Sequence, residues 1–263
     1  MDHRTLAVNG LRLHYTVAGA GPDIVFVHGW ASSRRMWTSL LPALTRQYRC
    51  WTLDLPGFGD SEKPAPTWYS IPNFTTTLLE FMHQHDLEQP RLVGHSMGGM
   101  IVLNLAARHP ETIARLVAIN PVVTGRASLK PLARPDFSQR ALGWLLRLSP
   151  ALLQPLLSHP LGHRVSGITY IRRRNEDFVK ATPESLLSSG RALIDYDVAP
   201  LLDRVSVPAL VVVGTLDPTV PPAEGRLAAA RIPGGRLQLI RAGHLPTDDR
   251  PIETLRILQD FLA

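Results

Sequence analysis

A single cysteine in 263 residues rules out an intrachain disulfide and leaves the redox compartment open. That residue, Cys50, stands in the apolar run CWTLDLPG, the setting of a buried, unreactive thiol. Long apolar runs are also missing. The most apolar stretches, IVFVHGW and ALLQPLL, are short or broken by proline, far below the ~20 residues a membrane helix needs. The opening MDHRTLAVNGLRLHY lacks the basic flank and apolar run of a secretory signal, so a cytoplasmic location without a membrane span is expected. Lysine is scarce too: 25 of the 28 basic residues are arginine. What is present is a 44% apolar, 19% charged composition, which excludes a disordered chain. The length suits one large core, or a core with an insertion.

Along the chain, short apolar runs alternate with helical spacing. LAVNGLRLHYTVAG holds two strand-like runs joined at Asn9-Gly10, a hairpin signal. DIVFVHG, RCWTLDLPG, RLVGH, ARLVAINP, ALVVVGT and RLQLIRAG each read as a strand ending in a loop. Between them, residues 34–47, residues 72–87 opened by Pro72 and Asn73, and MIVLNLAARHP after GHS read as helices. A short helix in ETIA and a closing helix in PIETLRILQDFLA complete the set. Alternation of this kind predicts an α/β fold, a mainly parallel twisted sheet with helices on both faces. Its core spans 1–123 and 198–263. From Thr124 to Asp197 the strands stop while prolines recur, which predicts a helical cap inserted into the core.

The chemistry-bearing residues fall in loops at strand ends, where open α/β sheets bind ligands. VGHSMGGM sets Ser96 between a strand and a helix, with Gly94 two residues before it and Gly98 two after. A serine forced into a sharp strand-to-helix turn needs small neighbours at those two positions, and such a turn exposes its hydroxyl as a nucleophile. The motif is too short to decide alone. A hydroxyl also needs a base, and of ten histidines His244 in RAGHLPTDD is the best placed, directly after a strand. The base needs a carboxylate to fix its tautomer. Asp217 in VVVGTLDP lies just past a buried strand, whereas Asp248 and Asp249 follow His244 too closely to turn back onto its ring. The oxyanion donors expected are the backbone N–H groups of Met97 and Trp30. Trp30, His28 and His95 are read as lining the pocket, His95 with its ring turned away from Ser96 as packing or oxyanion-side support. His83 and His85 are read as solvated, and His159 with His163 as unsuited to a helical metal pair because Pro160 and Gly162 intervene. No metal or cofactor is expected.

Five marks in order, VHGW (27–30), DLPGFGDSEKP (54–64), GHSMGG (94–99), GTLDPTVP (214–221) and AGHLPTDDRP (242–251), resemble those of the α/β-hydrolase superfamily across nearly the whole chain. Within it, HGW with DLPGFGDS is similar to small carboxylesterases such as the pimeloyl-acyl-carrier-protein methyl ester esterase. The resemblance implies the α/β-hydrolase fold and a triad of Ser96, Asp217 and His244, acting on a carboxylic ester through an acyl-enzyme. Lactonases and carbon–carbon bond hydrolases share these marks, and a non-catalytic ligand receptor is the alternative from another class. Ser96 argues against the dehalogenases and epoxide hydrolases of this fold, which use aspartate.

The inserted segment 124–197 holds eleven basic and six acidic residues, so it carries +5 of the chain's +6. Clustered positive charge steers acidic partners. A small-molecule ester is the expected substrate, with an anionic ester or an acyl group on an acidic carrier protein as the case this charge would favour. The run Arg172–Arg174 lacks interleaved aromatics, which argues against nucleic acid.

Overall fold

The structure, a computed structural model, describes residues 2–128 and 176–263. Eight strands form one sheet: β1 (Asp2–Val8), β2 (Leu11–Ala18), β3 (Asp23–Val27), β4 (Arg49–Leu53), β5 (Arg91–His95), β6 (Arg115–Ile119), β7 (Ala209–Gly214) and β8 (Arg236–Ile240). Their order is β1-β2-β4-β3-β5-β6-β7-β8. β1 and β2 form the antiparallel hairpin predicted at Asn9-Gly10, where both residues have positive φ (50° and 78°), as a two-residue hairpin turn of this kind demands. β2 also meets β4 antiparallel, and every pairing from β4 to β8 is parallel.

The continuous apolar strands follow from burial on both faces. Successive side chains point to opposite sides. Val25, Val27, Leu92, Leu116, Ala118, Val211 and Val213 enter one core layer. Ile24, Phe26, Val93, Val117, Ile119, Leu210 and Val212 enter the other. The first layer is covered by α1 (Ile71–Gln84), α2 (Met97–Arg108), α3 (Pro183–Asp195) and α4 (Pro222–Arg231); the second takes Leu258, Phe261 and Leu262 of α5 (Pro251–Leu262). This is the α/β-hydrolase architecture.

Two local expectations differ. The single helix expected over 34–47 is instead a 3-10 turn at Arg34–Trp37 and one short helix at Leu41–Leu44. Pro42 can only open a helix, and the Arg34 backbone is drawn to Asp54 at the end of β4 (N–H to Oδ1, 2.7 Å). The helix expected in ETIA is a 3-10 turn, Pro110–Thr112.

Most of the segment expected to be a helical cap, residues 129–175 with His159 and His163, lies outside the described residues. Its two ends are described. Thr124 and Asp197 form an antiparallel bridge, flanked by Val198 N–H to Val123 O and Gly125 N–H to Tyr196 O, both 3.0 Å. The carboxylate of Glu224 accepts from Val123 N–H (3.1 Å), Thr124 N–H (2.7 Å) and the Thr124 hydroxyl (2.8 Å), which pins the departing strand.

After β3 the chain adds β4 on one side and β5 on the other. That reversal opens a crevice at the carboxyl ends of β3 and β5. Residues 28–33 and Ser96 stand there.

Candidate active site

β5 ends at His95 and α2 begins at Met97, leaving one residue for the whole turn. Ser96 makes it with φ 54° and ψ −115°, a conformation costly for a side chain bearing Cβ. The neighbours explain how the strain is held. A Cβ on Gly94 would lie 2.3 Å from Gly98 O, and one on Gly98 would lie 2.2 Å from Val27 O, so both positions admit only glycine. Ser96 N–H donates to Ile119 O (3.0 Å) and its carbonyl accepts from Met100 N–H (3.1 Å), which fixes the turn to β6 and to the first turn of α2.

Asp217 and His244 follow adjacent parallel strands, β7 and β8, and meet. His244 Nδ1 donates to Asp217 Oδ2 at 2.7 Å. The other carboxylate oxygen, Oδ1, accepts Thr219 N–H (2.7 Å) and Val220 N–H (3.0 Å). The loop therefore turns back on the carboxylate and aims Oδ2 at the ring. With its proton on Nδ1, the imidazole presents a lone pair at Nε2. The His95 and His244 rings lie 4.7 Å apart, which brings the His244 loop beside the serine turn.

The loop after β3 lies against that turn. A Cβ on Gly29 would sit 3.1 Å from Ser96 Cβ and 2.9 Å from His95 Nδ1. Trp30 follows, and Ala31 takes φ 55° to turn the chain away. Met97 is the first helical residue after Ser96, where N–H groups have no partner within the helix. The Trp30 indole N–H reaches α3, donating to Leu186 O and Ser189 Oγ, both 3.1 Å. Tyr69 makes a second tie, its hydroxyl donating to Ser185 Oγ at 2.7 Å.

His28 occupies another role than the pocket lining expected of it. His28 has no exposed surface; its Nδ1–H donates to Gly29 O (2.7 Å) and its Nε2 accepts from Leu55 N–H (3.0 Å). Burial holds its pKa below the usual histidine value, so it stays neutral beneath the loop as a brace. His95 is 3% exposed, and its Nε2 donates to the His244 carbonyl at 2.7 Å. His85 also departs from expectation: rather than solvated, its ring packs 4.7 Å from Trp51, 4.8 Å from Phe81 and 4.9 Å from Tyr15. Burial pushes the buried Cys50 thiol up to about 12, as befits an inert residue.

Two polar residues at strand ends escape sequence reasoning. Asp54, fully buried after β4, takes Arg34 N–H (2.7 Å) and Asp60 N–H (2.8 Å) and pairs with the Arg34 guanidinium. It thereby joins the DLPGFGDS loop to the loop carrying Trp30. Asn120 directly follows β6. Position after a strand is the signal that could have found both. Among the described residues, no three of His, Cys, Asp and Glu converge so as to hold a metal ion.

A family model described as the alpha/beta hydrolase fold matches residues 22–251. The chain belongs to that family. It is similar to the pimeloyl-[acyl-carrier protein] methyl ester esterase of Aeromonas hydrophila, with 28% identity over 255 residues, 93% of this chain and 97% of that one. Among solved structures it resembles the enol-lactonase from Burkholderia xenovorans (TM-score 0.80, 28% identity, 98% of this chain and 99% of that one). It also resembles a bromoperoxidase from Bacillus anthracis (TM-score 0.86, 26% identity, 99% of each chain). The chain is thus a hydrolase-fold protein with relatives named as esterases, and no described helix is long and apolar enough to cross a membrane.

Proposed function

We propose that this chain hydrolyses carboxylic esters through an acyl-enzyme on Ser96. The observation that carries the reading is the 2.7 Å bond from His244 Nδ1 to Asp217 Oδ2, made beside a serine held at φ 54°. Ser96 Oγ attacks the carbonyl carbon while its proton passes to His244 Nε2. The displaced carbonyl electron pair becomes an oxyanion, which the N–H groups of Trp30 and Met97 receive. Collapse expels the alcohol, protonated by His244. Water then attacks the acyl-enzyme by the same route, releasing the acid and restoring the serine.

Asp217 holds the imidazole in the tautomer this requires and stabilises the imidazolium. The likeness to the acyl-carrier-protein methyl ester esterase, together with the +5 charge of residues 124–197, supports a small or carrier-linked acyl ester. The likeness to an enol-lactonase supports cyclic esters as a second substrate class for the same steps. Residues 124–197 are read as a cap over the site, with α3 as its returning helix.

Ser96→Ala should abolish the pre-steady-state burst with p-nitrophenyl esters and end labelling by a fluorophosphonate, with the fold unchanged. A variant that still acylates removes Ser96 as the nucleophile. A tightly retained, unhydrolysed ligand with no turnover on esters or lactones would favour a receptor instead.

A further inference from the structure

A 2.7 Å bond to Asp217 sets the orientation of the His244 ring but not the position of its main chain. That position is set elsewhere. Asn120 directly follows β6 in the left-handed region, φ 42°, which asparagine tolerates better than most residues. Its N–H donates to Val212 O at 2.8 Å, and its side chain then lies across three loop ends. Oδ1 accepts Gly214 N–H at 2.7 Å, three residues before Asp217. Nδ2 donates to the carbonyls of Gly243 and His244, both at 3.0 Å. The amide orientation is dictated by the partners, because an N–H can only donate and a carbonyl can only accept. The His244 carbonyl takes its second donor from His95 Nε2 at 2.7 Å, so this ring must carry its proton there. The fit between the acid and base loops is close: a Cβ on Gly214 would lie 2.3 Å from Gly243 O.

We infer that Asn120 and His95 are positioning residues that hold His244 by its main-chain carbonyl, so that acid, base and nucleophile keep one geometry. The inference rests on the reading of Ser96, Asp217 and His244 as a triad. His95 is covalently joined to Ser96, so its bond is the shortest link from the nucleophile to the base. Asn120 makes the corresponding link from the acid loop to the base loop. Neither side chain has to meet substrate. Each acts through His244, where a displacement of ~1 Å can cost about a hundredfold in rate.

The donors can be removed without removing bulk. Asn120→Asp keeps an acceptor for Gly214 N–H but turns a carboxylate oxygen onto two carbonyls. His95→Leu removes the ring donor, and His95→Gln restores an N–H near the position of Nε2. With a p-nitrophenyl ester as probe, Asn120→Asp and His95→Leu should lower kcat about a hundredfold with KM within about twofold. Both should broaden or abolish the low-field proton resonance of His244 Nδ1–H. His95→Gln should recover most of the rate and the resonance.

Equal losses in His95→Leu and His95→Gln would mean that ring packing, not the donor, matters, and would overturn the inference. So would parental kcat in both His95→Leu and Asn120→Asp. If Asn120→Asp does not fold, the His95 pair decides alone. Ser96→Ala separates the two levels. If it still acylates, the triad reading has failed; if it is silent while the Leu and Asp variants acylate at the parental rate, the triad stands and the clamp falls.

Discussion

Asp217→Asn replaces one oxygen by nitrogen, and the surrounding bonds decide which one. Oδ1 accepts two backbone N–H groups, from Thr219 and Val220, at 2.7 and 3.0 Å. An amide nitrogen cannot accept either, so the asparagine must keep its oxygen there and turn its NH2 toward His244. The 2.7 Å contact with Nδ1 then survives only if Nδ1 becomes the acceptor, which moves the imidazole proton to Nε2. In that tautomer Nε2 cannot take the Ser96 proton. The expected loss in kcat is about 10⁴, or about 5.5 kcal/mol at ~1.36 kcal/mol per tenfold, with stability nearly unchanged because every bond is kept. Asp217→Ala should lose comparable rate and in addition about 1–3 kcal/mol of stability, since the Thr219 and Val220 N–H groups lose their acceptor. Steady-state hydrolysis of a p-nitrophenyl ester at pH 7, paired with urea unfolding of both variants, measures the two quantities separately. An Asp217→Asn enzyme within tenfold of the parent would refute the reasoning, because another group would then be setting the tautomer of His244.

Gly98→Ala would place a methyl 2.2 Å from Val27 O and 2.5 Å from His28 O, both main-chain atoms, so α2 must draw back from the loop carrying Trp30. A loss of about 1–3 kcal/mol in urea unfolding is expected, with a larger proportional loss of esterase rate. Burial lowers the pKa of His28, His14 and His85, so below about pH 6.5 the unfolded chain binds protons that the folded chain refuses. Stability is therefore complete above that pH and declines as pH falls through it, by up to about 1.4 kcal/mol per pH unit from fully buried His28. Urea titrations at pH 7 and pH 5 that gave equal stability would contradict this. Trp30→Phe keeps the ring and deletes the indole donor to Leu186 O and Ser189 Oγ. One neutral hydrogen bond of about 1 kcal/mol corresponds to about a fivefold fall in kcat/KM, which parental kinetics would exclude.

The central strands are legible because burial on both faces leaves unbroken apolar runs: DIVFV and ALVVVG contribute alternate side chains to opposite core layers. Ser96 and Asp217 are legible as candidates because each stands just past such a run; His244 follows β8, an exposed edge strand, which turns out to be the neighbour of the strand before Asp217. The roles of His28 and His95 are not legible, because the groups that define them, Leu55 N–H and His244 O, are backbone atoms of distant loops. Asn120 and Asp54 stand at legible positions after strands, but their partners are hidden for the same reason. Their residue types suggest turns, and only the closed sheet shows that each side chain joins two loops. The helix expected over 34–47 fails where a tertiary bond to Asp54 overrides local periodicity.

The bridge between Thr124 and Asp197 means that the two described ends of the segment between them leave the core through one doorway, bolted by Glu224. A foreign segment entering there would keep the sheet strands in place only if it also filled the apolar layer that Leu186 and Leu193 of α3 occupy. Such a graft would have to meet the core side chains tied to this segment, among them the Trp30 indole, the Tyr69 hydroxyl, Arg35 at Glu176, Asp60 at Lys180 and Asn104 at Tyr196. On the proposed reading, the part of the molecule that chooses a substrate could be exchanged only together with its share of the core beside the part that would break the bond.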